Sequence, residues 1–335
     1  MSKLANVTKE IIIKQNEYID YLSKLESSTS HSNDKKVLEE IKPSLLSYFH
    51  IRAWDKVNLG SNDSSAIKLF IDTLDNLYPH FLRTFESNDS FESELGVELK
   101  SIITEIVSDV ITTINYVAFS HIKFCNKFVE MHGLKALFNY LNNQILIDNY
   151  VAEAKNKKSK EYELINKTLK NTMGSLVCIA RTYNNHKNEW KDCNSVKNFL
   201  NYLSRTRDIE DNKVYATLAI SFVADDDDID KLPELKDTLP DLTKVIGLAS
   251  KAIKDNVDLV RDLFEIDESN EQKEVCYVYY LGTEWSLINL IKGLYHLAVN
   301  DKLKYDIYYK NNMNKHIRLL IYFGNDVEKE YTLNL

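Results

Sequence analysis

An all-α fold of stacked helical repeats, with an irregular helical N-terminal portion, is predicted by three observations. Two stretches, 111–141 and 287–321, follow one pattern: an apolar helix, a short polar break, then two short apolar helices. Only 8 Gly and 4 Pro occur in 335 residues. The usual shares are about 7% and 5%, so the tight turns of a β-sandwich are hard to supply. Apolar residues recur at steps of three and four rather than two. A unit that recurs but cannot bury its own apolar faces stacks on its neighbours into a solenoid, whose product is a long surface.

In chain order, helical patterning begins near 8–25, 34–49, 65–85 and 92–119, with polar loops at 27–34 and 58–65. These first 100 residues do not match the repeat, as expected of a terminal unit that turns a polar outer face to water. Residues 1–100 are therefore assigned as a divergent helical cap and 101–335 as repeats. The clearest periodicity follows: Ile103, Ile106, Val107, Val110, Ile111, Ile114, Val117 and Ala118 form one apolar stripe on one helix. Weaker copies run over 169–203 and 214–246. Ala118, Ala180, Ala224 and Ala298, taken as register marks, are spaced by about 62, 44 and 74 residues, against about 40–47 for a helical repeat of this kind.

The long steps call for insertions, and two segments supply them: a polar, lysine-rich stretch near 142–167 and an acidic one near 254–284. Each reads as a solvated spacer or as a loop used in recognition. In the second, Tyr277, Tyr279 and Tyr280 alternate with Val278 and Leu281, the pattern of a short strand or hairpin arm. Leu287, Leu290, Ile291, Leu294, Leu297 and Ala298 then repeat the helical stripe, with Ser286 or Thr283 available to cap its start. From Gly324 onward the chain reads as the beginning of a further repeat helix. Ending there leaves an apolar face uncapped, so the chain is expected to be a fragment of a longer protein.

The residues that carry the repeat are Ile114 to Ser120, Glu130-Met131-His132-Gly133-Leu134, Asn194-Ser195-Val196, and Leu294 to Asn300. They resemble armadillo repeats over roughly residues 100–335. The resemblance implies a short helix, a second helix and a longer third helix packed as a triangle and stacked into a right-handed superhelix. The last repeat is also similar to armadillo-like segments that precede Toll/interleukin-receptor-type signalling domains. In peptide-binding armadillo proteins the third helices present Asn and Trp toward a groove. That register puts Tyr116, Cys178 and His296 of this chain at the Asn positions, and Asn115, Val177 and Tyr295 at the Trp positions. The Asn ladder is absent. Neither Tyr nor Cys can donate and accept as an amide does, so an extended basic import signal is not the expected cargo. The candidate binding residues are Asn115, Tyr116, Tyr295 and His296, lining a groove of their own character.

Charge and motifs narrow the function further. A formal charge of -8 argues against a nucleic-acid partner held through its phosphates. Lys155, Lys157, Lys158 and Lys160 form a local basic patch without interleaved aromatics, which reads as a solvated loop. Cys125, Cys178, Cys193 and Cys276 lack zinc-ligand spacing, so reduced thiols are expected. No signal-peptide core or membrane-length apolar run is present, and a cytoplasmic protein without membrane attachment is the expectation. The common phosphate-loop, dinucleotide, zinc-protease and hydrolase motifs are missing, so no cofactor, metal or catalytic residue is assigned. The run Asp225 to Asp228 with Asp230 lacks the Gly and terminal Glu of a calcium loop and reads as a helix-ending loop.

His121, His132 and His296 read as packing histidines, and His50 and His80 have no nucleophile near them in sequence. The Tyr-rich end, with Tyr295, Tyr305, Tyr308, Tyr309 and Tyr322, mixes core-edge and interface character. The sequence therefore predicts a non-enzymatic scaffold that binds a protein or peptide. The alternative is the regulatory region of a longer signalling enzyme whose catalytic domain lies beyond Leu335.

Overall fold

The computed structural model describes residues 64–83, 85, 94–153, 160–206, 210–225, 228, 233–255, 259–266, 272–280, 283–298, 300–311, 313–323 and 332–333. The helices expected near 8–25 and 34–49, the loop at 27–34, most of the loop at 58–65 and the helix expected from Gly324 lie outside the described residues.

The described chain is predominantly helical, as the composition and periodicity predict. Its helices are α1 (Ser64–Arg83), α2 (Glu94–Ser120), α3 (Ile122–Glu130), α4 (Gly133–Leu141), α5 (Gln144–Glu153) and α6 (Lys160–Ala180). A 3-10 turn (Tyr183–Asn185) leads to α7 (Lys187–Asp192), α8 (Ser195–Arg205), α9 (Glu210–Val223) and α10 (Pro233–Asp255). After strands β1 (Leu259–Ile266), β2 (Gln272–Tyr280) and β3 (Thr283–Ser286) come α11 (Leu287–Ala298), α12 (Asp301–Tyr305), a π-helical turn (Asp306–Lys310) and α13 (Met313–Phe323). Two compact units divide these elements: Met1–Val117 with Lys127–Ser175, and Ala118–Asn126 with Leu176–Leu335.

In the first unit, the apolar stripe of α2 is buried from Ile103 through Val117, as its three-and-four spacing requires. Beside α1, Tyr140 of α4 donates its hydroxyl to the Leu74 carbonyl at 2.8 Å and meets Tyr78 and Phe81 edge-on, each with ring centroids 5.2 Å away. Burial therefore holds its phenol well above the ordinary range. Of the segment near 142–167, the described residues are largely helical. Asn143 accepts the Leu146 N–H at 2.8 Å and so caps α5. Leu146, Ile147, Tyr150, Tyr162 and Ile165 are buried along α5 and α6. Tyr150 stacks on Tyr162 at 5.6 Å and donates to the Asn166 amide oxygen at 3.0 Å.

The second unit holds the other recurrent helices. Leu287, Leu290, Ile291, Leu294, Leu297 and Ala298 are all buried along α11, and the expected cap is Ser286, whose hydroxyl accepts the Asn289 N–H at 3.4 Å. Helices α9 and α11 run parallel: Gly293 lies against Leu218 and Ser221, while four residues along α9 Phe222 meets His296 at 5.6 Å. The acidic segment folds as a three-stranded antiparallel meander in the order β1-β2-β3, with β2 packed against α10 and α11. Its register pairs Ile266 with Gln272, and Tyr280 with Thr283, with a bulge in β1 between Val260 and Leu263. Strand character at Tyr277 to Tyr280 agrees with their alternation.

One local structure occurs in both units. Between α3 and α4 stands His132 with φ of 64°, and between α7 and α8 stands Asn194 with φ of 50°. These are the non-glycine residues with positive φ among those described. Each lets a short helix stop and the next begin after one left-handed residue, which Asn and His tolerate better than most. Both lie inside the segments Glu130-Met131-His132-Gly133-Leu134 and Asn194-Ser195-Val196, so these two segments share a backbone solution without sharing residue types.

Candidate functional site

Helices α2 and α6 meet along a polar strip in the first unit. Lys167 pairs with Asp109 at 2.9 Å, Asn171 donates to the Thr112 hydroxyl at 2.8 Å, and Asn115 donates to the Asn171 amide oxygen at 3.4 Å. Residue numbers rise together along both helices, so the two run parallel. Gly174 makes the close approach possible, because a Cβ there would come within 2.8 Å of the Asn115 amide oxygen. Among the described residues this leaves Asn115 with its amide oxygen and one N–H unspent, since an Asn side chain has two donors and two acceptor sites. Tyr116 follows at 45% exposure. The strip thus offers amide donors and acceptors and one ion pair, with the exposed Tyr116 at the adjoining position of α2. It contains no nucleophile or base and suits recognition of a peptide's polar groups.

The other two predicted residues belong to the second unit. His296 is half-buried against Phe222, and Tyr295 meets it edge-on at 6.0 Å. Burial, then the neighbouring Lys292, hold the His296 imidazole below its ordinary range. Its environment is that of a packing group. Cys178 and Val177, which the sequence register placed on the groove, are both buried. Cys178 instead offers its carbonyl to the Cys125 thiol at 3.8 Å. On α6 the amide that meets Asn115 of α2 is Asn171, which sequence reasoning missed. Its signal was one turn away, in the Gly174-Ser175 pair that allows close helix contact.

Further clusters are accounted for by structure. Asp225 accepts from Lys191 at 2.8 Å and from the Tyr183 hydroxyl at 3.2 Å, while its N–H donates to the Asp228 carboxylate at 3.2 Å. The Lys191 ammonium holds the Asp225 carboxyl below its usual range, and burial and Asp225 push the Tyr183 phenol up to about 12. The first Asp of the acidic run is therefore committed to an ion pair and hydrogen bonds within the chain; Asp226, Asp227 and Asp230 lie outside the described residues. Among the described residues no group of three or more His, Cys, Asp or Glu is arranged to hold a metal ion. His316 and Ser250 are 2.8 Å apart, the spacing of a base and nucleophile, but Ser250 is fully buried and shares its hydroxyl with the Gly247 carbonyl at 2.9 Å. Lys155, Lys157 and Lys158 lie outside the described residues, and Lys160 begins α6. No helix among the described residues is long and apolar enough to cross a membrane.

No protein-family model matches the chain, and no curated protein matches it.

Proposed function

We propose that this chain is a non-enzymatic, cytoplasmic scaffold of armadillo-like solenoid type that binds a protein or peptide partner. The observation that carries the reading is the α2–α6 strip, where two parallel helices present Asn115 and Asn171 beside exposed Tyr116. Parallel neighbours of this kind are what stacked third helices of such repeats would give, and α9 and α11 repeat the arrangement in the second unit. The left-handed junctions at His132 and Asn194 support the same repeat. Amides with unspent donors and acceptors hold an extended main chain, and the tyrosine adds amphipathic contact area.

Selection of a random peptide library on the immobilised full chain tests the reading. Selected peptides are expected to lose at least tenfold in affinity on Asn115→Ala and on Tyr116→Ala, with the helical circular dichroism unchanged. Undiminished binding by both variants removes the strip as the site.

A further inference from the structure

We propose that the π-helical turn after α12, together with α13, is a second docking surface that takes an acidic linear segment of a partner protein. It lies in the second unit and makes no use of the α2–α6 strip. Tyr305 and Tyr309 are 60% and 66% exposed, with ring centroids 5.1 Å apart and planes tilted by 34°. They form one continuous aromatic surface in water. Paired tyrosines supply large contact area at low side-chain entropy cost, which is why binding surfaces use them.

The backbone beneath them is held in place. Asn311 donates to the Asp306 carbonyl from its N–H at 3.1 Å and from Nδ2 at 2.8 Å. Ile307 is fully buried, and the largely buried Asp306 pairs with Lys310 at 2.6 Å. Single π turns within helical segments are frequent at functional sites. Rings on such a turn are pre-organised, so binding does not have to order them first.

Charge selects the occupant. Residues 300–323 carry five cations, Lys302, Lys304, Lys310, Lys315 and Arg318, against two carboxylates, Asp301 and Asp306, in a chain of net charge -8. Asp306 is committed to Lys310. Lys304 is exposed beside Tyr305, and Lys315 and Arg318 are exposed on α13, which packs against the turn. A few carboxylates spaced along an extended segment complement these cations, while apolar residues between them lie on the tyrosine rings. A nucleic acid fits less well, because three available cations neutralise few phosphates within an overall negative field.

Fluorescence polarisation on the full chain tests this with three probes. They are a fluorescein-labelled 12-residue peptide pool alternating Glu with Leu, Pro or Trp, the matched pool with Gln for Glu, and a labelled 12-mer of thymidylate. The Glu pool is expected to bind at least tenfold tighter than either other probe. Tyr305→Ala with Tyr309→Ala, and separately Lys304→Glu with Lys315→Glu, are expected to weaken it at least tenfold. Should the tyrosine pair unfold the protein, the charge-reversal pair decides. Equal binding of the Glu and Gln pools, tighter binding of the oligonucleotide, or undiminished binding by the charge-reversal pair overturns the proposal. So does self-association in sedimentation velocity that the tyrosine pair abolishes, since a second copy would then occupy the face.

Discussion

Gly133 and Asn194 each stand at a corner between two short helices, for different reasons. At Gly133 a Cβ would overlap the ring of Phe128, five residues earlier, so the position is closed to any side chain. Gly133→Ala is expected to cost about 1–3 kcal/mol through forced displacement of that ring, read as a lowered urea midpoint with unchanged slope. Asn194 instead needs a left-handed backbone. Asn194→Val is expected to cost about 1–2 kcal/mol, whereas Asn194→Gly stays within about 1 kcal/mol of the parent. Both residues stand in segments on which the repeat resemblance rests. What periodicity cannot report is why each is needed, because a ring contact and a positive φ are tertiary and backbone facts.

Arg181 acts at the scale of elements. Its Nη2 donates to the Ala118 and Phe119 carbonyls at 2.7 and 3.1 Å, and its Nε donates to the Cys178 carbonyl at 2.8 Å. One guanidinium therefore satisfies carbonyls at the C-terminal ends of α2 and α6, where unpaired acceptors and the helix dipole favour a cation. Arg181→Leu is expected to cost about 2–3 kcal/mol in thermal or urea unfolding. Arg181→Lys recovers only part of it, since an ammonium cannot reproduce the planar fork. Sequence reading took Ala118 and Ala180 as register marks and overlooked the arginine that joins the two helix ends. It also read 142–167 as a solvated spacer or a recognition loop, because α5 buries only Leu146, Ile147 and Tyr150 and its neighbours on α6 supply the rest.

At the scale of the whole molecule, partly buried histidines predict a pH dependence. Burial lowers His121, His296 and His316 below the ordinary imidazole value of 6.5, with Lys292 adding to the effect at His296 and Lys315 and Lys251 at His316. Below that value the unfolded chain binds more protons than the folded one, so stability falls as pH drops through this window. The melting temperature is expected to decline between pH 7.5 and 5.5, and His316→Gln is expected to make that decline shallower. Asp225 acts in a different range: its carboxyl is held low mainly by Lys191, so its contribution is present above the ordinary 3.8 and is lost in stronger acid. A melting temperature flat from pH 7.5 to 5.5 would contradict the histidine assignment.

The sequence by itself determined the helical class, the positions of α2 and α11, and the strand character at Tyr277 to Tyr280. These are local properties: periodicity, caps and turn residues act over one or two helical turns. Only the tertiary structure decided which polar groups meet. It buried Cys178 and brought Asn171 to Asn115, because residues 56 positions apart in the chain become neighbours only when two long helices pack side by side. The helical pattern was therefore written in the chain, while the candidate binding surface came from packing.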